Sequence, residues 1–172
     1  VLKLRKVFFL EVALLAVASP AWAHVEVAPH DAAKGATATF TFTVPNEEAP
    51  AKTTSVELVW PDDVEFTTNS PAAKSGWTAM PNEHSVTWSG GAITDENKEA
   101  FTVTLGPLPN DETIAFKAIQ TYDNGTVARW IGAAGTDNPA PVVTLTGPPV
   151  TVATTTTIAP TTTTVAPKED KN

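Results

Sequence analysis

Of the three histidines in this chain, His24 has the neighbours with the most chemical consequence. It follows Ala21-Trp22-Ala23, the small-x-small pattern behind which signal peptidase cuts. That pattern closes a leader with a basic opening (Lys3, Arg5, Lys6) and an apolar run over residues 7–17. Cleavage after Ala23 converts His24 from an internal residue into one with a free α-amine beside its imidazole. The amine and ring Nδ1 together close a chelate ring on one metal ion. Cu(II) favours nitrogen and oxygen donors of this kind in tetragonal geometry. An α-amine has a reference pKa of about 7.7–8.0, low enough for a metal to displace its proton near neutral pH.

A two-nitrogen site leaves equatorial positions for carboxylates and water. Glu47, in Val44-Pro45-Asn46-Glu47, stands where a strand gives way to a turn, and the rim of a sandwich is where binding groups gather. Glu99 precedes Phe101 at the start of another strand. Glu26 shares a face with His24 if that segment is extended. Each is equally well read as an ordinary exposed rim carboxylate. His30 and His84 offer a second imidazole, but each is flanked by polar or turn residues and reads as a solvated loop histidine. For the tryptophans the plain reading is core packing. Trp130 differs in following Val127-Ala128-Arg129 at the end of a hairpin.

Composition removes several function classes. No cysteine is present, which excludes disulfides, thiolate metal sites and cysteine nucleophiles. The 172 residues carry a formal charge of −8, and loss of a leader bearing a net +2 takes the remainder to about −10. Nucleic acid and anionic membrane surfaces attract cations, so neither suits as a partner. Acidity fits cation capture and equally fits solubility. The sequence holds no nucleophile–base motif, phosphate loop or Cys/His cluster, so no enzymatic activity is read from it. The apolar run is short for a membrane span and Glu11 interrupts it, so no clear membrane anchor is expected.

The elements that must position these residues are short and alternating. Residues 37–44 (TATFTFTV) alternate strictly, and residues 55–60 (SVELVW) do so again before Pro61-Asp62-Asp63. Residues 64–67 read as a short strand, residues 85–88 as one ended by Gly90-Gly91, and residues 113–121 as one continuous strand. Residues 100–105 and 142–145 complete the set. Asp123-Asn124-Gly125 signals a hairpin pairing residues 119–122 with 126–131. There is no convincing amphipathic helix after the leader. The fold class expected is all-β, a single immunoglobulin-like β-sandwich over residues 24–147. Its core face comprises Phe40, Phe42, Val56, Leu58, Phe101, Val103, Ile114 and Phe116, with Trp60, Trp77, Trp88 and Trp130 as the largest apolar contributors. Residues 1–23 form the signal peptide. Residues 148–172, rich in Thr and Pro, form a tail that cannot bury enough apolar surface to offset its ordering entropy.

Several motifs in order carry a resemblance. His24-Val25, Val44-Pro45-Asn46-Glu47, Gly76-Trp77, Val86-Thr87-Trp88-Ser89-Gly90-Gly91, Gln120-Thr121-Tyr122-Asp123-Asn124-Gly125, Arg129-Trp130 and Asn138-Pro139-Ala140-Pro141 closely resemble the YcnI-type copper-binding domain, a family of exported bacterial proteins. The resemblance covers residues 24–146. It implies a β-sandwich holding Cu(II) through a single-histidine brace, with His24 binding through its amine and Nδ1. It favours Glu47 as the carboxylate, leaves Glu99 as a second candidate and sets Trp130 close against the metal. The leading functional reading is then a copper carrier in copper trafficking or homeostasis, with copper-trafficking proteins as partners. Family members often continue into a C-terminal membrane helix, whereas this chain ends in the Thr/Pro tract and Lys-Glu-Asp-Lys-Asn. Two other readings compete. A copper oxygenase would need a second histidine on the metal, and a stalked adhesion or structural β-module would leave His24 without a role.

Overall fold

The computed structural model describes residues 24–151, so the leader and the tract from residue 152 onward lie outside the described residues. Every regular element among the described residues is a strand. In chain order they are β1 (Glu26–Ala28), β2 (Asp31–Ala33), β3 (Ala38–Pro45), β4 (Thr53–Val59), β5 (Thr68–Pro71), β6 (Thr78–Pro81), β7 (Ser85–Ile93), β8 (Lys98–Gly106), β9 (Thr113–Ala115), β10 (Lys117–Tyr122), β11 (Val127–Trp130) and β12 (Val142–Thr146). A four-stranded sheet has the order β1-β3-β8-β5 and a five-stranded sheet the order β11-β10-β4-β7-β6. In a smaller third sheet, β12 runs parallel to β2 and antiparallel to β9.

The alternation in β3 explains the four-stranded sheet. Phe40, Phe42 and Val44 point inward and are fully buried. The intervening threonines face out, and Thr39 and Thr41 pair their hydroxyls with Thr104 and Thr102 across β8 at 2.8 and 3.1 Å. Register sets Phe40 opposite Val103 and Phe42 opposite Phe101. The five-stranded sheet answers with Val56, Leu58, Val86, Trp88, Ala118 and Trp130, all buried. Aromatic contacts close the sandwich. Phe101 meets Trp77 at 5.0 Å and Trp88 at 5.3 Å between ring centroids, and Phe116 meets Phe42 at 5.1 Å and Phe40 at 6.0 Å. All eight expected core residues are buried.

Three local expectations need correction. Residues 113–121 are two strands, because the Phe116 amide donates to Pro141 O at 2.9 Å, and the chain leaves β12 there to join β4. Ile114, Phe116 and Ala118 all stay inward across the switch, so the alternation does not record it. Residues 64–67 are not a strand. Val64 turns back to donate to Pro61 O, Phe66 packs on Trp60 at 5.5 Å, and pairing with β8 begins only at Thr68. Gly90-Gly91 does not end a strand either. Thr53 faces Ile93 while Ser55 faces Ser89, so β7 carries extra residues there and forms a bulge. The hairpin expectation holds: β10 pairs with β11 around the turn, where Gly125 supplies φ +86°.

At the bulge, the Trp77 indole lies where a Cβ on Gly91 would fall. Gly91→Ala therefore forces the ring off its seat between β7 and Phe101. We expect a loss of about 1–3 kcal/mol in urea unfolding. Unchanged stability would show that the Trp77 packing contributes nothing.

Candidate functional site

His24 lies two residues before β1, whose antiparallel register with β3 pairs Glu26 with Thr43 and Val27 with Phe42. Val25 and Val27 are buried, while His24 and Glu26 are exposed. Continued by two residues beyond its last observed pair, this register would set His24 level with Pro45, the last residue of β3, two positions before Glu47. The sandwich thus brings His24 and Glu47 to one end of the four-stranded sheet. The His24 ring also reaches the facing sheet, meeting the Trp130 indole edge-on with centroids 6.3 Å apart and planes at 65°. Trp130 is fully buried, and its Nε1 donates to Gln120 Oε1 at 3.0 Å. The indole nitrogen is occupied, so Trp130 offers a neighbour only its hydrocarbon edge and π surface.

Glu47 is exposed, but the backbone from which it extends is not free. Asn46 is buried, and its amide donates to Asp95 O at 2.6 Å and Ala51 O at 2.9 Å. The Tyr122 hydroxyl lies against the Glu47 backbone and the Thr53 side chain. Burial pushes this phenol up to about 12. The Glu47 and Glu48 charges act in the same direction, while contacts with the Glu47 backbone and the Thr53 side chain pull partly back. Beside this loop, Ala49, Pro50, Asp95, Glu96 and Asn97 line an open depression of about 600 Å³.

The other sequence candidates are placed elsewhere. Glu99 sits opposite Val44 on β8, one strand beyond β3 from His24. Its Oε2 is 2.6 Å from Lys74 Nζ, and Lys74 in turn lies 5.1 Å from the Phe101 ring centroid. Glu26 is exposed on β1. His30 lies past the far end of β1, where its carbonyl accepts from the Thr144 amide. His84 lies between β6 and β7, where its carbonyl accepts from the Trp60 amide at the opposite end of β4 from Thr53. Neither histidine is brought to His24. Among the described residues no group of three His, Asp or Glu side chains gathers as a metal cluster.

Sequence reasoning did not single out Gln120, Thr53, Asn46 or Tyr122 for this site. Gln120 carried a usable signal. It is the one amide among the inward positions 114, 116, 118, 120 and 122, and a buried amide implies specific partners.

A family described as Domain of unknown function (DUF1775) matches residues 24–85 and 80–145. The chain belongs to this family. It is 34% identical over 140 residues to the Copper-binding protein CutI of Bacillus subtilis, covering 77% of this chain and 67% of CutI, which supports the YcnI-type assignment. It is also similar to a crystal structure of an uncharacterized protein from Nocardia farcinica described as having an immunoglobulin-like fold. That match has 33% identity and a TM-score of 0.64 over 72% of this chain and 99% of the other. The immunoglobulin-like sandwich expected from the strand pattern is thus the fold of this chain. Among the described residues no helix is long and apolar enough to cross a membrane.

Tyr122 is the only tyrosine, so its titration is read without interference from others. In the folded chain, tyrosinate absorbance should rise with a midpoint near 12, and in denaturant near 10. The raised value means that the folded state holds the proton more tightly. Its stabilising contribution is therefore complete below pH ~10 and disappears as pH climbs toward 12. A folded-state midpoint at the ordinary tyrosine value would contradict the buried placement against Glu47.

Proposed function

We propose that this chain is an exported copper-binding protein that carries Cu(II) at the processed N-terminus, in copper trafficking or homeostasis. His24 would hold the ion through its α-amine and Nδ1, Glu47 would supply anionic oxygen, and Trp130 would wall off one side. The observation that carries the reading is the meeting of His24 with the buried Trp130 indole at the sheet end where the chain runs on to Glu47. Membership in a family with a relative named for copper binding supports the same reading.

The donor set suits the ion. An amine, an imidazole and a carboxylate are the nitrogen and oxygen ligands that Cu(II) accepts, and the carboxylate offsets part of its charge. Glu47 rather than Glu99 is the carboxylate of choice, because it follows β3, the strand that β1 pairs with, whereas Glu99 lies on β8, one strand further from His24. The apolar indole edge beside His24 leaves little room for a substrate on that side. With no second histidine at hand, the arrangement favours holding a metal ion over oxidising a bound molecule. Partner proteins that deliver or receive the ion belong to the same proposal.

The test compares the chain beginning at His24 with the same chain acetylated at its α-amine. Cu(II) titration and electron paramagnetic resonance should show one tight equivalent with nitrogen hyperfine structure in the first. The second should lose it, because an acetylated amine cannot close the ring with Nδ1. Glu47→Gln should weaken binding by about tenfold, or about 1.4 kcal/mol. Trp130→Phe should leave the stoichiometry intact and alter the spectrum. Equal, weak binding by the native and acetylated chains would overturn the brace and favour a structural β-module.

A further inference from the structure

Trp60, Trp88 and Trp130 are all buried to within 1% of full enclosure, yet their indole nitrogens are treated differently. Those of Trp60 and Trp88 have no protein hydrogen-bond partner, so packing alone orients these rings. Only Trp130, the indole against His24, is bonded, through Gln120. The bond comes with a burial cost, because an amide on the core face is tolerated only when its polar atoms are satisfied.

Gln120 is satisfied entirely within one hydrogen-bonded chain. Its Oε1 accepts from Trp130, and its Nε2 donates to Pro45 O at 2.7 Å and to Thr53 Oγ1 at 2.6 Å. Thr53 Oγ1 then donates to Asn46 Oδ1 at 2.8 Å, and the Thr53 amide donates to the same oxygen at 3.2 Å. Asn46 Nδ2 carries the chain on to Ala51 O and Asp95 O. Indole N–H can only donate, so Gln120 must present its oxygen to Trp130 and its nitrogen to Thr53. The Thr53 proton must then point at Asn46. The amide orientations are fixed by this polarity.

We propose that Gln120, Thr53 and Asn46 are positioning residues that join the two halves of the His24–Glu47 site into one rigid unit. This rests on the copper reading above. One end of the chain orients the indole against which His24 rests. The other end holds the peptide from which Glu47 extends, together with the 94–97 loop beside it. Gln120 also grips the Pro45 carbonyl at the end of β3. None of the three would touch the ion. They would set the separation of its nitrogen and oxygen donors before it arrives, and preorganisation of this kind is what outer-shell partners contribute to metal sites.

The experiment uses the chain beginning at His24, Gln120→Met and Thr53→Val variants, and Ile114→Ala as a control in the third sheet. Each is examined metal-free by nuclear magnetic resonance and then titrated with Cu(II). In Gln120→Met the Trp130 indole N–H and His24 ring resonances should shift, the indole proton should exchange faster, and Cu(II) affinity should fall tenfold or more with altered hyperfine structure. Thr53→Val should keep the Trp130 indole resonance near its native position yet still weaken binding. It carries the test if Gln120→Met does not fold. Ile114→Ala should lower the melting temperature without changing affinity or spectrum. Native affinity and spectra in the folded relay variants would overturn the proposal. So would an equal loss of affinity in the control at matched melting temperature. If the native chain binds no Cu(II), the copper reading fails. The metal-free spectra then decide the positioning role, with unchanged His24 shifts in Gln120→Met refuting it.

Discussion

Phe116 is the point on which the two large sheets depend. Its backbone lies at the residue where the chain crosses from the third sheet into the five-stranded sheet, and its ring is driven onto Phe42 and Phe40 of the four-stranded sheet. One residue therefore ties all three sheets, and it is fully buried. With no cysteine to cross-link the layers, their separation is set mainly by aromatic and aliphatic burial. That separation in turn decides whether a side chain entering from β1 can reach across to β11. His24 does reach, and its contact with Trp130 follows from the spacing that Phe116, Phe101 and Trp88 impose.

The apolar core also explains why the polar chain beside the site is so fully bonded. An unsatisfied amide in such surroundings costs about 1–3 kcal/mol. A partly satisfied network would thus weaken the fold at the end where the sandwich is open. Gln120, Thr53 and Asn46 avoid this by spending their side-chain hydrogen bonds on one another and on nearby backbone. The same bonds leave the exposed groups, His24 and Glu47, projecting from a backbone that has little freedom. Exposure of the donors and rigidity of their supports are in this sense one property.

Much of the architecture was legible in the sequence because period-two alternation directly encodes which face is buried. Phe40, Phe42, Val56 and Leu58 follow from it without further information. Alternation is silent about pairing partners, and so the switch at Phe116 was invisible: the inward phase runs through it unbroken. Gly90-Gly91 misled for a related reason, since two glycines suit a turn and a bulge equally well. At the proposed site, His24 was singled out by its place behind the cleavage pattern, and Trp130 by its place at the end of a hairpin and then by the resemblance. The polar chain was not, because its members lie 74 positions apart from Asn46 to Gln120 and meet only once β3, β4 and β10 are assembled.

The donor inventory also bears on which oxidation state the proposed site suits. Cu(I) is best held by thiolate and thioether ligands. The chain has no cysteine, and its single methionine, Met80, is half exposed on β6, the edge of the five-stranded sheet opposite β11. Sulfur is therefore kept as far across that sheet from Trp130 as the strand order allows. Around His24 there are only nitrogen and oxygen donors, together with an indole whose nitrogen is already bonded to Gln120. A site of this composition discriminates by what it lacks. In the proposed site a bound Cu(II) would therefore match its donors better than Cu(I) would.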